Sequence, residues 1–269
     1  MPRTVIEETR DRTRLFELFR EDPIKNAYQI GSLVDGYQDQ TRHFWWTEMD
    51  HPKAVLSIYD GLSAPAVFTW GDPDCLVTLV ERLRGELPGR MLLHRYPEHA
   101  RAFDKRLKVR SVRKEIRMLL ERERFRPQQA AREGESVSLS HCDTAAIFKL
   151  FATYPDSFFE PYQLETGYYT GHRIGDELVS VAGIHLISSD LGYAMLGNIV
   201  TSAEHRGKGL AKATTARLCE TLFPVADRLI LDVPTDSAGA RTAFEHLGFQ
   251  PCFHYEQVLI HKGTGWIDD

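Results

Sequence analysis

Ile199-Val200-Thr201-Ser202-Ala203-Glu204-His205-Arg206-Gly207-Lys208-Gly209-Leu210-Ala211 is the stretch from which the fold of this 269-residue chain is read. It closes an apolar, strand-like run that begins at Tyr193. It then opens a helical pattern in which Leu210, Thr214, Leu218 and Leu222 fall four apart. Between the two lies a turn with two glycines. The first turn of a helix leaves backbone N–H groups without intrahelical partners, and the helix dipole adds positive potential there. A strand–turn–helix of this kind is therefore a ready anion site. Gly207 and Gly209 remove side chains that would hold a bulky phosphate off the backbone. Two phosphate patterns do not fit. A P-loop needs GxxxxGK followed by Ser or Thr, whereas Lys208 lacks that spacing and precedes Gly209. A dinucleotide fingerprint needs GxGxxG, and Lys212 stands where its third glycine belongs.

A third pattern, R/Q-x-x-G-x-G/A, is met in full by Arg206-Gly207-Lys208-Gly209-Leu210-Ala211. A strand-like Leu229–Val233 follows, and then Ala240-Arg241-Thr242-Ala243-Phe244-Glu245-His246-Leu247-Gly248-Phe249. From Ser136 to Ile260 the chain resembles the GNAT superfamily of acyl-coenzyme A-dependent N-acyltransferases, whose A-x-x-x-(Y/F)-x-x-x-G-F segment is similar to the last of these stretches. The resemblance implies an α/β fold, a mixed and mostly antiparallel sheet flanked by helices. It also implies acetyl-CoA or another acyl-CoA as cosubstrate, an amine as acceptor, and no metal. By the same resemblance, Arg206 and the backbone of Gly207, Lys208, Gly209, Leu210 and Ala211 carry the pyrophosphate. Ile199, Val200 and Thr201 hold the pantetheine arm, and strands four and five splay apart, so that the strand bearing Asn198 lines the gap the thioester enters.

Two positions depart from the family pattern. Ser237 stands where many members carry asparagine, and Phe244 stands where a tyrosine often serves as general acid toward the leaving thiolate. A phenyl ring has no proton to give, so Phe244 is expected only to pack beside the pantetheine arm. The attacking amine must be neutral, which calls for a base or an ordered water near the thioester. His185, central in a strand, is the candidate base, although a core histidine with a satisfied partner is its plainer reading. Asn198 cannot act as a base but can hold a water or the acyl oxygen. Glu160, Glu165, Tyr193 and Tyr255 are weaker candidates, read more simply as solvated helix charges and buried strand tyrosines.

The remainder of the chain repeats the same order of elements. Residues 1–126 open with a charged helix expected over 8–20 and a second from Asp22 toward Leu33, and then run strand, strand, helix, strand, helix, strand. The polar, breaker-flanked 127–135 is expected to be a linker, and 136–269 to be the acyl-CoA-binding domain. The first part is similar to the degenerate N-terminal GNAT-like domain of two-domain members, and it holds no RxxGxA string. Its His43-Phe44-Trp45-Trp46 cluster reads as a core strand. The basic run from Lys105 through Arg110 to Arg113, Lys114 and Arg117 reads as a solvated sheet face.

A net charge of −5 gives no reason to expect nucleic acid. No apolar run approaches the ~18 residues of a membrane span, and the charged N-terminus is unlike a signal peptide. Four scattered cysteines without a CxxC pair argue against a zinc site and point to the reducing cytoplasm. The rival to an enzyme is a non-catalytic acyl-CoA sensor, which the loss of a tyrosine at 244 makes plausible.

Overall fold

The computed structural model describes residues 4–34, 36–104, 107, 109–128, 133–154, 159–188 and 190–260. The chain begins with β1 (Thr4–Thr9), α1 (Arg12–Phe19), α2 (Ala27–Gly31), β2 (Thr41–Glu48), β3 (His51–Tyr59) and β4 (Ala66–Gly71). It continues through α3 (Pro73–Arg82), β5 (Met91–Arg95), α4 (Arg101–Asp104) and β6 (Ser111–Glu121). There follow β7 (Glu135–Ser138), α5 (Thr144–Phe151), β8 (Thr170–Ile174), β9 (Glu177–Ser188) and β10 (Tyr193–Thr201). The last elements are α6 (Leu210–Leu222), β11 (Arg228–Pro234), α7 (Ala238–Leu247) and β12 (Gln250–Ile260).

These elements form two compact units. One holds the chain up to Glu115 together with the residues from His254 on, and the other holds Ile116–Phe253. In the first, the strands lie in the order β1-β2-β3-β4-β5-β12. Neighbours from β1 to β4 are antiparallel, β4 and β5 are parallel, and β12 is antiparallel to β5. The second unit repeats the scheme as β7-β8-β9-β10-β11-β6, with antiparallel neighbours up to β10 and a parallel β10–β11 pair. Each is a mixed, mostly antiparallel sheet flanked by helices, the fold class expected.

The cuts differ from the division expected at 127–135, of which residues 129–132 lie outside the described residues. Each sixth strand is supplied by the other half of the chain, and packing is the reason. Ile116, Met118 and Leu120 of β6 belong to the core built from Ala182, Ile184, Leu218, Leu222, Leu231 and Phe249. Val258 and Ile260 of β12 belong to the core of Leu56, Ile58, Leu76, Leu79, Met91 and Leu93.

Two other expectations are corrected. The opening is not helical from residue 8: Thr4–Thr9 is a strand, because alternating Val5, Glu7 and Thr9 pair across to Thr47, Trp45 and His43. The basic run is not a uniformly solvated face either. Lys105, Arg106 and Lys108 lie outside the described residues, and Arg110, Arg113 and Lys114 are exposed, but Arg117 is buried. The aromatic cluster is a core strand as expected, with His43, Phe44 and Trp45 buried.

His43 makes a testable point about stability. Its Nδ1 lies 2.8 Å from Ser57 Oγ, and burial pushes the imidazole down to about 4. The unfolded chain takes up this proton near pH 6.5 while the folded chain resists it, so stability is full above that pH. It falls as the pH drops toward 4, by up to ~1.4 kcal/mol per unit for one such group. Urea unfolding at a series of pH values should show a slope of this sign, and His43→Gln should reduce it by the share of one such group, while buried His185 keeps its own; an unchanged slope in the variant would assign it elsewhere.

Candidate functional site

Strand β10 pairs with its parallel neighbour β11 only at Tyr193–Arg228, Ala194–Leu229 and Met195–Ile230. Beyond Met195 and Ile230 the two strands part, leaving a gap walled by Leu196–Thr201 on one side and Leu231–Pro234 on the other. The bend in β10 has a local cause. Its register with β9 slips between Gly197 and Val200, and Asn198 sits in this bulge with φ of 53°. Such a backbone is strained for a residue with a side chain, and asparagine tolerates it better than most. Side-chain bonds hold it in place. Asn198 Nδ2 donates to Gln163 Oε1 at 3.0 Å and to Tyr169 Oη at 2.8 Å. Both partners are buried. Tyr169 can lie there only because residue 183 is glycine: a Cβ on Gly183 would stand 2.2 Å from the tyrosine ring.

After Thr201 the chain turns through a short 3-10 segment, Ala203–His205, into α6. Gly207 and Gly209 have φ of 76° and 78°, and a Cβ at either would meet only open space. Gly209 is the N-cap of α6, with no side chain hydrogen-bonded to the first-turn amides and no acidic residue in that turn. The amides of this turn thus carry no side-chain cap and lie beside exposed Arg206 and Lys208. The Arg206 guanidinium lies over the Tyr154 ring, 5.1 Å from its centroid, with Nε and Nη2 donating to the hydroxyl. That hydroxyl donates to the Thr201 carbonyl and so ties the turn to the end of β10.

The first unit shows what closing such a site looks like. There β4 and β5 also pair over three residues, Ala66–Leu92 to Phe68–His94. His99 occupies the space beyond, with Nδ1 2.8 Å from Thr69 Oγ1 and Nε2 3.1 Å from the Gly71 carbonyl. Gln29 adds a bond to the Thr69 carbonyl at 3.2 Å. The start of α3 is capped by the Asp72 carboxylate, which accepts from the amides of Asp74 and Cys75. The Cys75 amide bond, followed by that of Asp74, lowers the Asp72 carboxyl below its usual range. An anion arriving at α3 would meet a negative charge rather than open N–H groups.

His185 is half-buried on β9, at the slip in register opposite Met195 and Leu196. Its imidazole lies across the bare face of Gly197, where a Cβ would be 1.9 Å from Nε2. Burial lowers it to about 4, against an opposing pull from Asp232 on β11, so at neutral pH the ring is uncharged.

The structure thus brings His185, Asn198, Ile199, Val200 and Thr201 to the gap, and Arg206 to Ala211 to the turn beside it. Phe244 is buried on the inner face of α7, edge-on to Phe249 at 6.0 Å, within a core against which Ile199 and Ala240 also pack. Tyr193 is fully buried at the closed end of the gap, its phenol pushed far above the usual range by burial. Tyr255 belongs to the first unit, stacked on His94. Glu165 is exposed, and Glu160 begins the 3-10 segment Pro161–Thr166.

Gln163, Tyr169 and Asp232 were not singled out in the sequence, and Arg117 was read only as part of a solvated basic run. Glycines 183 and 197 inside strands were a usable signal, since such glycines mark close approach. Among the described residues no group of three or more His, Cys, Asp or Glu side chains is placed to hold a metal ion. None of the described helices is long and apolar enough to cross a membrane.

Comparison with known proteins agrees with this geometry. The acetyltransferase (GNAT) family model matches residues 138–249. Among solved structures, a GCN5-related N-acetyltransferase from Sphaerobacter thermophilus superposes with a TM-score of 0.66, at 14% identity over 96% of each chain. A tandem GNAT protein from the clavulanic acid biosynthesis pathway gives 0.62, at 14% identity over 96% of this chain and 97% of that one. A GCN5-related N-acetyltransferase from Kribbella flavida gives 0.60, at 17% identity over 77% of this chain and 85% of that one. At these identities the likeness is one of fold. No curated protein matches the chain.

Proposed function

We propose, from the premise that residues 138–249 are a GNAT acetyltransferase domain, that the second unit moves an acetyl or other short acyl group from acyl-CoA to an amine of a small molecule or peptide. One observation carries this reading most. The parallel strands β10 and β11 part after three residue pairs, directly ahead of a glycine turn and an uncapped helix start. Acyl-CoA has a shape to match: a pyrophosphate for the amides of Gly207 to Ala211, and a thin arm to lie along Ile199, Val200 and Thr201 in the gap. The equivalent places in the first unit are filled by His99 and capped by Asp72, which supports a single cofactor site per chain.

In this reading the neutral amine attacks the thioester carbon, a C–N bond forms, and the C–S electron pair leaves with the thiolate. His185, uncharged at neutral pH, accepts the amine proton. Asn198 spends both amide hydrogens on Gln163 and Tyr169, so it serves by fixing the bulge rather than by gripping the acyl oxygen. Calorimetry with acetyl-CoA, followed by thiol release with an amine panel, tests the proposal. No binding to the folded chain defeats it. Binding without thiol release from any amine favours a sensor, the reading supported by Phe244 standing where a tyrosine would donate a proton.

Phe244→Tyr separates these two readings. The thiol is a fair leaving group, with a reference pKa of ~8.5, and departs unprotonated near neutrality. The parent is therefore expected to be active, and the variant to turn over equally fast or faster with its acyl-CoA affinity nearly unchanged. Because the parent ring is buried, a hydroxyl that finds no partner costs ~1–3 kcal/mol of stability. Thiol release from roughly pH 6 to 9, around the thiol reference value, reads the outcome. Parent and variant both inert while binding acetyl-CoA would favour the sensor.

A further inference from the structure

The far wall of the gap carries a charged pair that the proposed reaction has not yet used. Leu231 and Val233 of β11 point into the core shared with α6 and α7, so Asp232 between them points to the opposite face. Ile116 and Met118 place Arg117 of β6 on that same opposite face. There the guanidinium grips the carboxylate with both arms, Nε to Oδ1 at 2.8 Å and Nη2 to Oδ2 at 3.0 Å. Only 3% of the Arg117 side chain and 11% of that of Asp232 are exposed. The Phe253 ring lies under the guanidinium, 5.4 Å from its carbon.

A buried ion pair is a poor source of stability compared with apolar packing, so its position calls for another reason. His185 supplies one. Ile184 points to the core, His185 to the face of Asp232, and the bare Gly197 lets its imidazole extend over β10 toward the gap beyond which β11 stands.

We propose that Asp232, held by Arg117, is a positioning residue for His185, stabilising the imidazolium that forms when the ring takes the proton of the attacking amine. The inference rests on the acyl-transfer reading of the same gap. In that step the amine nitrogen forms its bond to the acyl carbon, the C–S pair departs with the thiolate, and the amine proton resides on His185. The imidazolium then returns the proton to the thiolate or to solvent. Arg117 holds the Asp232 carboxylate in place through both of its oxygens, while its own charge is matched. Other ionisable groups among the described residues lie on the elements around the ring, the Tyr169 phenol among them at the Ile184 carbonyl. Asp232 acts on it from β11, Arg117 and Tyr193 lie along the same face from β6 and β10, and Lys149 and Glu165 on the segments covering β9 are exposed.

The test uses the full chain with Asp232→Asn, Gly197→Ala and His185→Gln, the last assigning the His185 signal in an imidazole ¹⁵N titration. Asp232→Asn is expected to lower the His185 midpoint by about one unit, as loss of a neighbouring opposite charge does. It is also expected to lower kcat ~10-fold or more, within the range of positioned acid–base groups, while KM and calorimetric affinity for acetyl-CoA hold. Gly197→Ala leaves the ion pair intact but displaces the ring, and it should lower kcat at least as much. Should Asp232→Asn not fold because Arg117 is left unmatched, Arg117→Met combined with Asp232→Asn removes both charges and is read the same way. An unchanged midpoint, or unchanged kcat with an amine the parent acylates, overturns the role of Asp232. Failure of the parent to bind acetyl-CoA overturns the acyl-transfer reading instead, and the titration still decides whether Asp232 and His185 are coupled.

Discussion

Val258→Asp is expected to unfold the first unit, although residue 258 stands near the end of a chain whose opening strands form that unit. Val258 is fully buried, lies opposite Leu93 in the β5–β12 pair, and packs with Leu79, Met91 and Phe103. A carboxylate there has no partner. The effective cost of burying such an ion is several kcal/mol, comparable with the ~5–15 kcal/mol that holds a whole domain together. Protonation on burial softens the penalty but still leaves a polar group in an apolar core. Hydrogen exchange should show amides of β2 to β5 losing protection well before those of β8 to β10. The reverse order would mean that β12 belongs to the unit in which it follows α7.

That exchange of closing strands is the part of the fold that local pattern cannot carry. Alternation in Ile116, Met118 and Leu120 says that one face of a strand is buried, but it does not say against which sheet. The same holds for Val258 and Ile260. Each strand comes after a helix in the chain, and alternation alone would equally let either fold back onto its own half. The decision is made by long-range packing, which leaves no periodic trace. Where structure is local, the residues spoke clearly. The start of α6 follows from Gly209 and the four-residue spacing behind it, and the end of α7 from Gly248 with its φ of 105°.

The site divides in the same way. The glycine turn was legible because it is contiguous, from Arg206 to Ala211. The gap was legible only through resemblance, since strand divergence depends on a bulge held by Gln163 and Tyr169, thirty-five and twenty-nine residues away from Asn198. His185 drew notice as a lone strand histidine. Its setting, across Gly197 from β9 toward Asp232 on β11, requires three strands to be aligned before it can be seen. Arg117 was misplaced for a related reason. A basic run with alternating character looks solvated until one member meets a carboxylate from a strand more than a hundred residues on.

Gly207→Asp is expected to weaken acetyl-CoA binding at least about tenfold while leaving the fold intact, and two effects add to give that figure. First, residue 207 has φ of 76° in open space, so an aspartate meets no clash but strains the backbone that aims the following amides. Loss of even part of that aim weakens N–H contacts to the pyrophosphate. Second, the new carboxylate stands two residues before the N-cap of α6, where it competes with the phosphates for the positive end of the helix. Charge effects at a helix end are typically ~0.3–1 kcal/mol, so together with the strained loop they reach the ~1.4 kcal/mol that makes a tenfold change. The fold should survive at a cost of ~1–2 kcal/mol for one residue in the left-handed region, because the position is exposed and the core of α6 begins at Leu210. Gly207→Ala isolates the strain from the charge and should fall between parent and aspartate. Calorimetry with acetyl-CoA on all three chains reads the result. Equal dissociation constants for folded parent and aspartate variant would remove the turn before α6 from the cofactor site, whatever its likeness to a phosphate loop.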